Sequence, residues 1–484
     1  MLAWPLLTLA LFARLRPAQA ATLSILGSGL LLPVGFAFRI QGLPDLDRDT
    51  IAALSVLAGV LVFHRDLLVR RPPLRGLDWL VVVMMAGAFI TAMNNGDPRT
   101  LPAKYLPGIT VWGGLSKVAS ALLFFGIPFY MGRLFFQKPR DLHWLLLALV
   151  AIGLLYSIPY LWEVRMSPHL HYWVYGYQPA PFAMSKRGFG WRPMVFVGHG
   201  LSLAVFIVSA LIAAVGLWRS RSRKLGAAYL PAYFSGLLVL SSSLAATVYG
   251  LAAAAGAAFT SMRAQCLVLL VLCGLILSYP TTRARDWFPT ADLVTASASF
   301  SEARAKSLAF RFDNEDILLE HSRKRPWFGW GAYGRDRVYH PVTGQDDVTT
   351  DGYWIIVLGQ AGMVGFFCSF GLILWPVVQG ARTALRRPIN GETALVVAMA
   401  WIVALNALDL LPNAFLQSRT LFFAGALTGA VSGWERVKGA RQGRATGARR
   451  PAAAPSRGDE PEPPAPPRPQ AAGLGGSLLR RERF

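Results

Sequence analysis

Apolar residues in this chain do not alternate with polar ones at the two-residue period of strands. They collect in long runs from residue 21 to residue 434, separated by short charged connections. A helix needs about 20 apolar residues to cross the roughly 30 Å of bilayer hydrocarbon. The runs fall at 21–38, 50–63, 78–93, 118–136, 142–162, 194–216, 228–244, 245–260, 264–279, 352–378, 391–411 and 416–434. A segment in lipid must satisfy its own backbone, which leaves helices or closed barrels, and the missing alternation selects helices. The pattern predicts an all-α, polytopic integral membrane protein with about twelve transmembrane helices. Residues 228–260 have to form two short helices bending at Ser241, Ser242 and Ser243, because one long helix would invert everything downstream.

The ends depart from the series. Residues 1–20 place their apolar run before Arg14 and Arg16, the reverse of a signal peptide, and read as an interfacial or half-inserted segment. Residues 435–484 are rich in Arg, Pro, Ala and Gly, with Pro461, Pro463, Pro464, Pro466 and Pro467 close together. Such a composition predicts a disordered basic tail, either solvated or held against anionic headgroups. The domain plan is then 1–20, a first set of nine helices over 21–279, a large loop over 280–350, three helices over 351–434, and the tail.

Composition agrees with lipid as the solvent: 54% of residues are hydrophobic and 15% charged, too apolar for a soluble surface. A net charge of +22 would suggest nucleic acid in a soluble protein, but the basic residues collect in alternate connections and carry no nucleic-acid-binding motif. By the positive-inside rule, the connections with Arg65, Arg70, Arg71 and Arg75, with Arg219, Arg221, Arg223 and Lys224, and with Arg382, Arg386 and Arg387 are cytoplasmic. Counting spans from them puts the connection with Asp45, Asp47 and Asp49, residues 94–117, the loop 163–193 and the loop 280–350 outside, with the tail inside. A bacterial inner membrane, with the large loop periplasmic, fits that arrangement. Cys266, Cys273 and Cys368 fall in apolar runs, so no exterior disulfide is expected. His169 and His171 lack further ligands, Asp346-Asp347 reads as a weak cation site or a solvated turn, and no phosphate-binding Gly-Lys-Ser/Thr loop is present. No metal and no cofactor is expected.

Two outer segments carry candidate chemistry. Residues 163–200 interleave Glu163, Arg165, Tyr175, Tyr177, Lys186, Arg187, Trp191 and Arg192 before His199. Guanidinium forks suit phosphate oxygens and aromatic faces suit sugar rings, although the same residue types build interfacial belts. The second segment runs from Arg304 and Lys306 through Arg311 into Asp313, Glu315, Asp316 and Glu320, predicting a helix from about Asp313 to Ser322. Pro326 stops it, and Gly329, Gly331 and Gly334 make a tight turn around Trp330. Asp351-Gly352-Tyr353 leads into the tenth span, so Asp351 is a candidate for an ion pair with an arginine or for general-base work.

Arg311, the turn Pro326-Trp-Phe-Gly329-Trp-Gly331, and Asp351-Gly-Tyr353 followed by Gly359-Gln-Ala-Gly362-Met-Val-Gly365 together resemble the O-antigen ligase and O-antigen polymerase superfamily. Arg187-Gly-Phe-Gly-Trp-Arg-Pro193 is similar to the family's earlier exterior arginine motif. The resemblance implies a metal-independent membrane glycosyltransferase for surface polysaccharide or exopolysaccharide. Its donor would be a glycan on undecaprenyl pyrophosphate, and its acceptor another glycan or a lipid. It assigns Arg187 and Arg311 to the pyrophosphate, with Arg192, Arg304, Trp330 and Tyr353 as further substrate contacts. Thr350 stands where ligases of the family have a histidine, which leaves Asp351 and, second, His340 as the candidate bases. Glu315 stands where many relatives have tryptophan, as in a divergent branch. A lipid or glycan transporter built on Asn406, Asp409, Asn413 and Arg419, or a non-catalytic scaffold working with other polysaccharide assembly proteins, are the alternative readings.

Overall fold

The computed structural model describes residues 1–447 apart from 41, 103, 188, 189 and 221–228, and for 183, 184, 187 and 435–447 the backbone alone. The tail expected to be disordered lies outside the described residues from 448 onward, as do Arg221, Arg223 and Lys224. Met1–Val437 form one compact unit.

This unit is almost wholly helical. In chain order come α1 (Trp4–Arg14), α2 (Pro17–Leu31), α3 (Arg48–Phe63), α4 (Arg65–Arg70), α5 (Asp78–Met93), the strands β1 (Arg99–Leu101) and β2 (Lys104–Leu106), and α6 (Val111–Ala121). A π-helical turn, Leu122–Gly126, joins α6 to α7 (Ile127–Phe135). Then follow α8 (Asp141–Met166), α9 (Leu170–Tyr175), the strands β3 (Lys186–Arg187) and β4 (Gly190–Trp191), α10 (Gly200–Ser220), α11 (Tyr229–Leu240), α12 (Leu244–Phe259) and α13 (Met262–Ala284). The remainder is α14 (Thr290–Ala298), α15 (Glu302–Arg323), α16 (Tyr353–Leu385), α17 (Gly391–Asp409) and α18 (Ser418–Gly447). Both strand pairs are short antiparallel hairpins in connections.

Each of the twelve apolar runs falls on a helix. Among the described residues six helical segments are long and apolar enough to cross a membrane: Val111–Phe135, α8, α10, α13, α16 and α17. The bend at the serine run separates α11 from α12, with Ser242 in a left-handed conformation. Several boundaries differ from expectation, among them the end of α2 at Leu31, where the run continues to 38, and the start of α10 at Gly200, where the run begins at 194. The N-terminal segment is the separate helix α1, broken from α2 at Leu15 and Arg16 and packed on α3 through Phe12. Helix α18 carries the backbone to Gly447, past the residue where composition predicts order to end.

Helices α10 and α17 are the most buried of the six and pack on each other at the centre. Helix α18 approaches α7 so closely that side chains at Gly425, Gly429 and Gly433 would collide with the backbone of Phe129, Arg133 and Gln137, the small-residue spacing by which apolar helices pack without a hydrophobic drive. Connections at one end of the helices contact each other. Tyr177 donates to the Val34 carbonyl, Arg99 to that of Arg335 at 3.3 Å, and His199 stacks on Phe415 at 4.6 Å. At the other end Arg71 donates to the Leu134 carbonyl at 2.9 Å, Arg140 pairs with Glu392 at 2.6 Å and Arg387 donates to the Trp434 carbonyl at 2.9 Å. The acidic 45–49 connection, the 163–199 segment and the long loop therefore share one end, and the arginine-rich connections the other.

Candidate functional site

The glycine turn of the loop and the glycine run of α16 form one structure. Helix α16 is interrupted at Gly362, whose φ is 63° and ψ −163°. In an uninterrupted helix the amides of Met363 and Val364 would bond to the carbonyls of Gly359 and Gln360. Instead they donate to the loop carbonyls of Pro326 (2.7 Å) and Trp327 (3.1 Å), while Gly359 and Gln360 accept from Trp330 (2.8 Å) and Gly331 (2.9 Å). The loop thus supplies both missing rungs, so these two amides and two carbonyls need no water. A side chain at Gly329 would meet the Gln360 and Ala361 backbone at 2.6–2.7 Å, and one at Gly362 would strike the Trp327 carbonyl.

Helix α15 extends eleven residues further toward the N-terminus than the acidic cluster suggests, starting at Glu302 rather than Asp313. The cluster does not begin the helix; it lies in its middle, where Glu315 is drawn to Arg283 at the end of α13. Arg283 is buried and reaches Glu315 at 3.1 Å, Asp316 at 2.6 Å and the Phe312 carbonyl at 3.1 Å. Glu315 also accepts from the Tyr279 hydroxyl (3.1 Å) and the Trp354 indole (3.3 Å). Burial raises the Glu315 carboxyl above its usual range, against the lowering influence of Arg283. These contacts fasten α15 to α13 and α16.

One turn before Glu315, Arg311 Nε lies 3.2 Å from Asp351 Oδ2, with both side chains about a third exposed (36% and 37%). Arg311 also reaches the Pro412 carbonyl at 3.5 Å. The start of α16 is held there because the Tyr353 amide donates to the Leu410 and Asn413 carbonyls, at 3.0 and 3.1 Å. Of the two roles open to Asp351, the ion pair is the one formed. Its effect is an accessible guanidinium beside an accessible carboxylate on a rigid mount.

The other expected residues divide. Arg304 is exposed two turns from Arg311 on the same helix face. Tyr353 lines a cavity between α5, α6 and α16. Trp330 stacks on His321 at 4.5 Å and takes Arg325 and Arg99 against its ring at 4.4 and 4.8 Å. Arg192 donates to the Ser242 carbonyl at 2.9 Å and packs against Gly200, so it fixes the 163–199 segment. The side chain of Arg187 lies outside the described residues; its backbone pairs with Gly190 in the β3–β4 hairpin. His340 Nδ1 accepts from the Val342 and Thr343 amides, both 3.2 Å, within its own turn. Among the described residues no hydrogen bond joins its ring to Arg311 or Asp351.

Sequence reasoning passed over Arg283 and Arg335, which show only as charges beside an apolar run or a turn. Arg335 is fully buried and donates to the Asp97 carbonyl at 2.8 Å and the Pro107 carbonyl at 3.3 Å. Glu163 accepts backbone bonds from Leu170, Met194 and Val195 at 2.7–3.2 Å, folding its segment back onto α8. The polar cluster near Pro412 is engaged in packing: Tyr249 and Asn413 donate to Asp409, Thr420 to Asn406, Asn406 to Ser209 and Arg419 to the Ser202 carbonyl. Among the described residues no group of three or more His, Cys, Asp or Glu side chains could hold a metal ion. The three cysteines are free and buried.

Fold and site define a mostly helical protein with several helices apolar enough for a membrane and a polar layer of loops at one end of the bundle. Neither a protein-family model nor a curated protein matches the chain.

Proposed function

We propose that the chain is a glycosyltransferase of the O-antigen ligase and polymerase type, in a bacterial inner membrane with the long loop at the periplasmic face. It takes glycan from undecaprenyl pyrophosphate and passes it to a glycan or lipid acceptor in surface polysaccharide or exopolysaccharide synthesis. The observation that carries this reading is the Arg311–Asp351 contact of 3.2 Å at an accessible surface. A glycan-linked pyrophosphate offers the guanidinium two phosphoryl groups, each bidentate and singly charged, where Asp351 offers one carboxylate. Donor binding therefore displaces Asp351 and frees it as a base. The acceptor hydroxyl gives its proton to Asp351, its oxygen bonds to the anomeric carbon, and the bond from that carbon to the pyrophosphate oxygen breaks. Arg311 holds the charge left on the departing phosphate.

The reading is tested in the native host with Arg311→Ala and Asp351→Asn. Each variant should insert at wild-type level and lose polymeric surface glycan, with transfer falling about 10²–10⁴-fold for loss of the base. Normal polymer in either variant refutes the role given to that residue. Loss of chain length in the variants marks a polymerase, and intact lipid-linked chains that fail to reach an acceptor mark a ligase.

A further inference from the structure

Helix α2 ends at Leu31, and the carbonyls of its last turn need donors from outside the helix. Arg48 donates to Gly29 at 3.1 Å, Tyr156 to Leu30 at 2.9 Å and Tyr175 to Leu31. The end of α2 is thereby satisfied without Arg419, which reaches the same place from the first turn of α18.

Arg419 is only 3% exposed. Its Nη2 donates to the Ser202 carbonyl at 3.2 Å, and its guanidinium lies 5.4 Å from the centre of the Phe206 ring, both on α10. Among the described residues Nη1 has no hydrogen-bond partner. It points into the space beside Gly29. A Cβ on Gly29 would lie 3.8 Å from Nη1 and, apart from its own stretch of helix, would meet no other atom within 4 Å.

Charge at this place does not balance. The ions that act on Arg419 are Arg48, a second guanidinium, and Asp49. Asp49 is committed to other groups: Oδ1 accepts from the amide of Ser418 at 3.4 Å and from its hydroxyl, and Oδ2 faces Arg48 Nε at 3.8 Å. Among the described residues no ion pair joins Arg419 to a carboxylate. Two guanidiniums against one carboxylate leave a net positive charge in the interior, and a buried cation without a counterion is costly.

We propose that the space between Gly29 and Arg419 is a binding site for a small monovalent anion of the halide class. The anion accepts from Arg419 Nη1, neutralises the excess charge, and so joins α2 to α18. A halide is a single atom that needs little more room than the absent methyl group, whereas sulfate, phosphate and carboxylates need the width of several atoms. The site is independent of the glycosyl-transfer reading, in which neither Gly29 nor Arg419 takes part.

The test follows the melting temperature of the full chain in detergent as sodium gluconate is replaced by chloride or bromide at constant ionic strength. Gluconate is too large to enter. In the wild type the melting temperature should rise with halide and level off, by about 2–4 °C at about ten times the Kd. Gly29→Ala fills the site while its methyl group meets Nη1 only at ordinary contact distance, and alanine is the better helix former. This variant should melt in gluconate at least as high as the wild type and lose the halide response. Arg419→Gln removes the charge and should lose the response as well. Gly274→Ala, whose methyl group lies in open space on α13, should respond as the wild type does. A wild type that melts alike in chloride and gluconate overturns the proposal, as does an equal response in Gly29→Ala, which would place the halide effect elsewhere.

Discussion

Substitution of Gly329 by alanine tests whether the loop turn completes α16. The new methyl group would lie 2.6 Å from the Gln360 carbonyl carbon and 2.7 Å from the Ala361 nitrogen. Both are backbone atoms and neither can rotate away. Gly329 also has φ 66°, where a Cβ costs about 1–2 kcal/mol in itself. Displacing the turn endangers four hydrogen bonds of 2.7–3.1 Å, each worth about 0.5–1.5 kcal/mol. Gly329→Ala should therefore destabilise by about 2–5 kcal/mol when about half of that hydrogen-bond energy is lost. Two controls separate the causes. Gly176 has φ 80° with open space where a methyl group would lie, so Gly176→Ala carries the conformational cost alone, about 1–2 kcal/mol. Gly274 lies inside α13 in open space, so its alanine variant should gain about 0.5–1 kcal/mol. Thermal unfolding in one detergent ranks the three, and hydrogen exchange at Met363 and Val364 should speed up in Gly329→Ala alone. A Gly329→Ala variant no less stable than Gly176→Ala would sink the account of the two completed rungs.

Three further outcomes follow from the polar contacts. Burial raises the Glu315 carboxyl, so the folded protein takes its proton at higher pH than the unfolded chain and gains relative stability as pH falls through that window. Melting temperatures of wild type and Glu315→Gln measured from about pH 7 to about pH 4.5 should converge toward the acid end, and a constant difference would contradict this. Arg335→Met removes the part-buried bonds to the Asp97 and Pro107 carbonyls and should cost about 1–3 kcal/mol, read as a lower melting temperature with faster exchange in residues 94–107. Arg311→Ala, in contrast, removes a pair that is a third exposed and should shift stability by no more than about 1 kcal/mol, so that the loss of glycan expected under the proposed function would not be a folding defect.

The positions of the helices were legible in the sequence because lipid-compatible runs leave a strong, purely local signal, and even the α11–α12 bend was marked by its serines. Helix α15 was half hidden. Its buried positions Ala305, Phe312, Glu315, Leu319 and Ser322 keep a helical spacing, but a carboxylate in the middle of that face disguises it as a helix start. What made Glu315 tolerable there is Arg283, 32 residues away, and no local pattern announces a partner at that distance. The two glycine motifs were each visible, one as a turn and one inside a span. Their union was not, since hydrogen bonds between backbones leave no side-chain signature beyond the glycines themselves. At the site, the chemistry of Arg311 and Asp351 was readable while their pairing was not, and His340 illustrates the reverse, a reactive side chain whose nitrogen is occupied by its own turn.

The contrast between the mount and what it carries bears on function. Arg283, Glu315, Tyr279 and Trp354 form a buried network whose cost of assembly is high and whose geometry is fixed. The backbone rungs at Gly362 and the amide of Tyr353 fix α16 from the other side. Between these restraints sits a pair that contributes little to stability, because water screens it. A chain that needed Arg311 and Asp351 only for folding would lose little by replacing them with apolar groups. Under the proposed function, two opposite charges held rigidly at the surface, each neutralised by the other until a ligand arrives, exchange partners, and a phosphate is the partner for which a guanidinium most readily leaves a carboxylate.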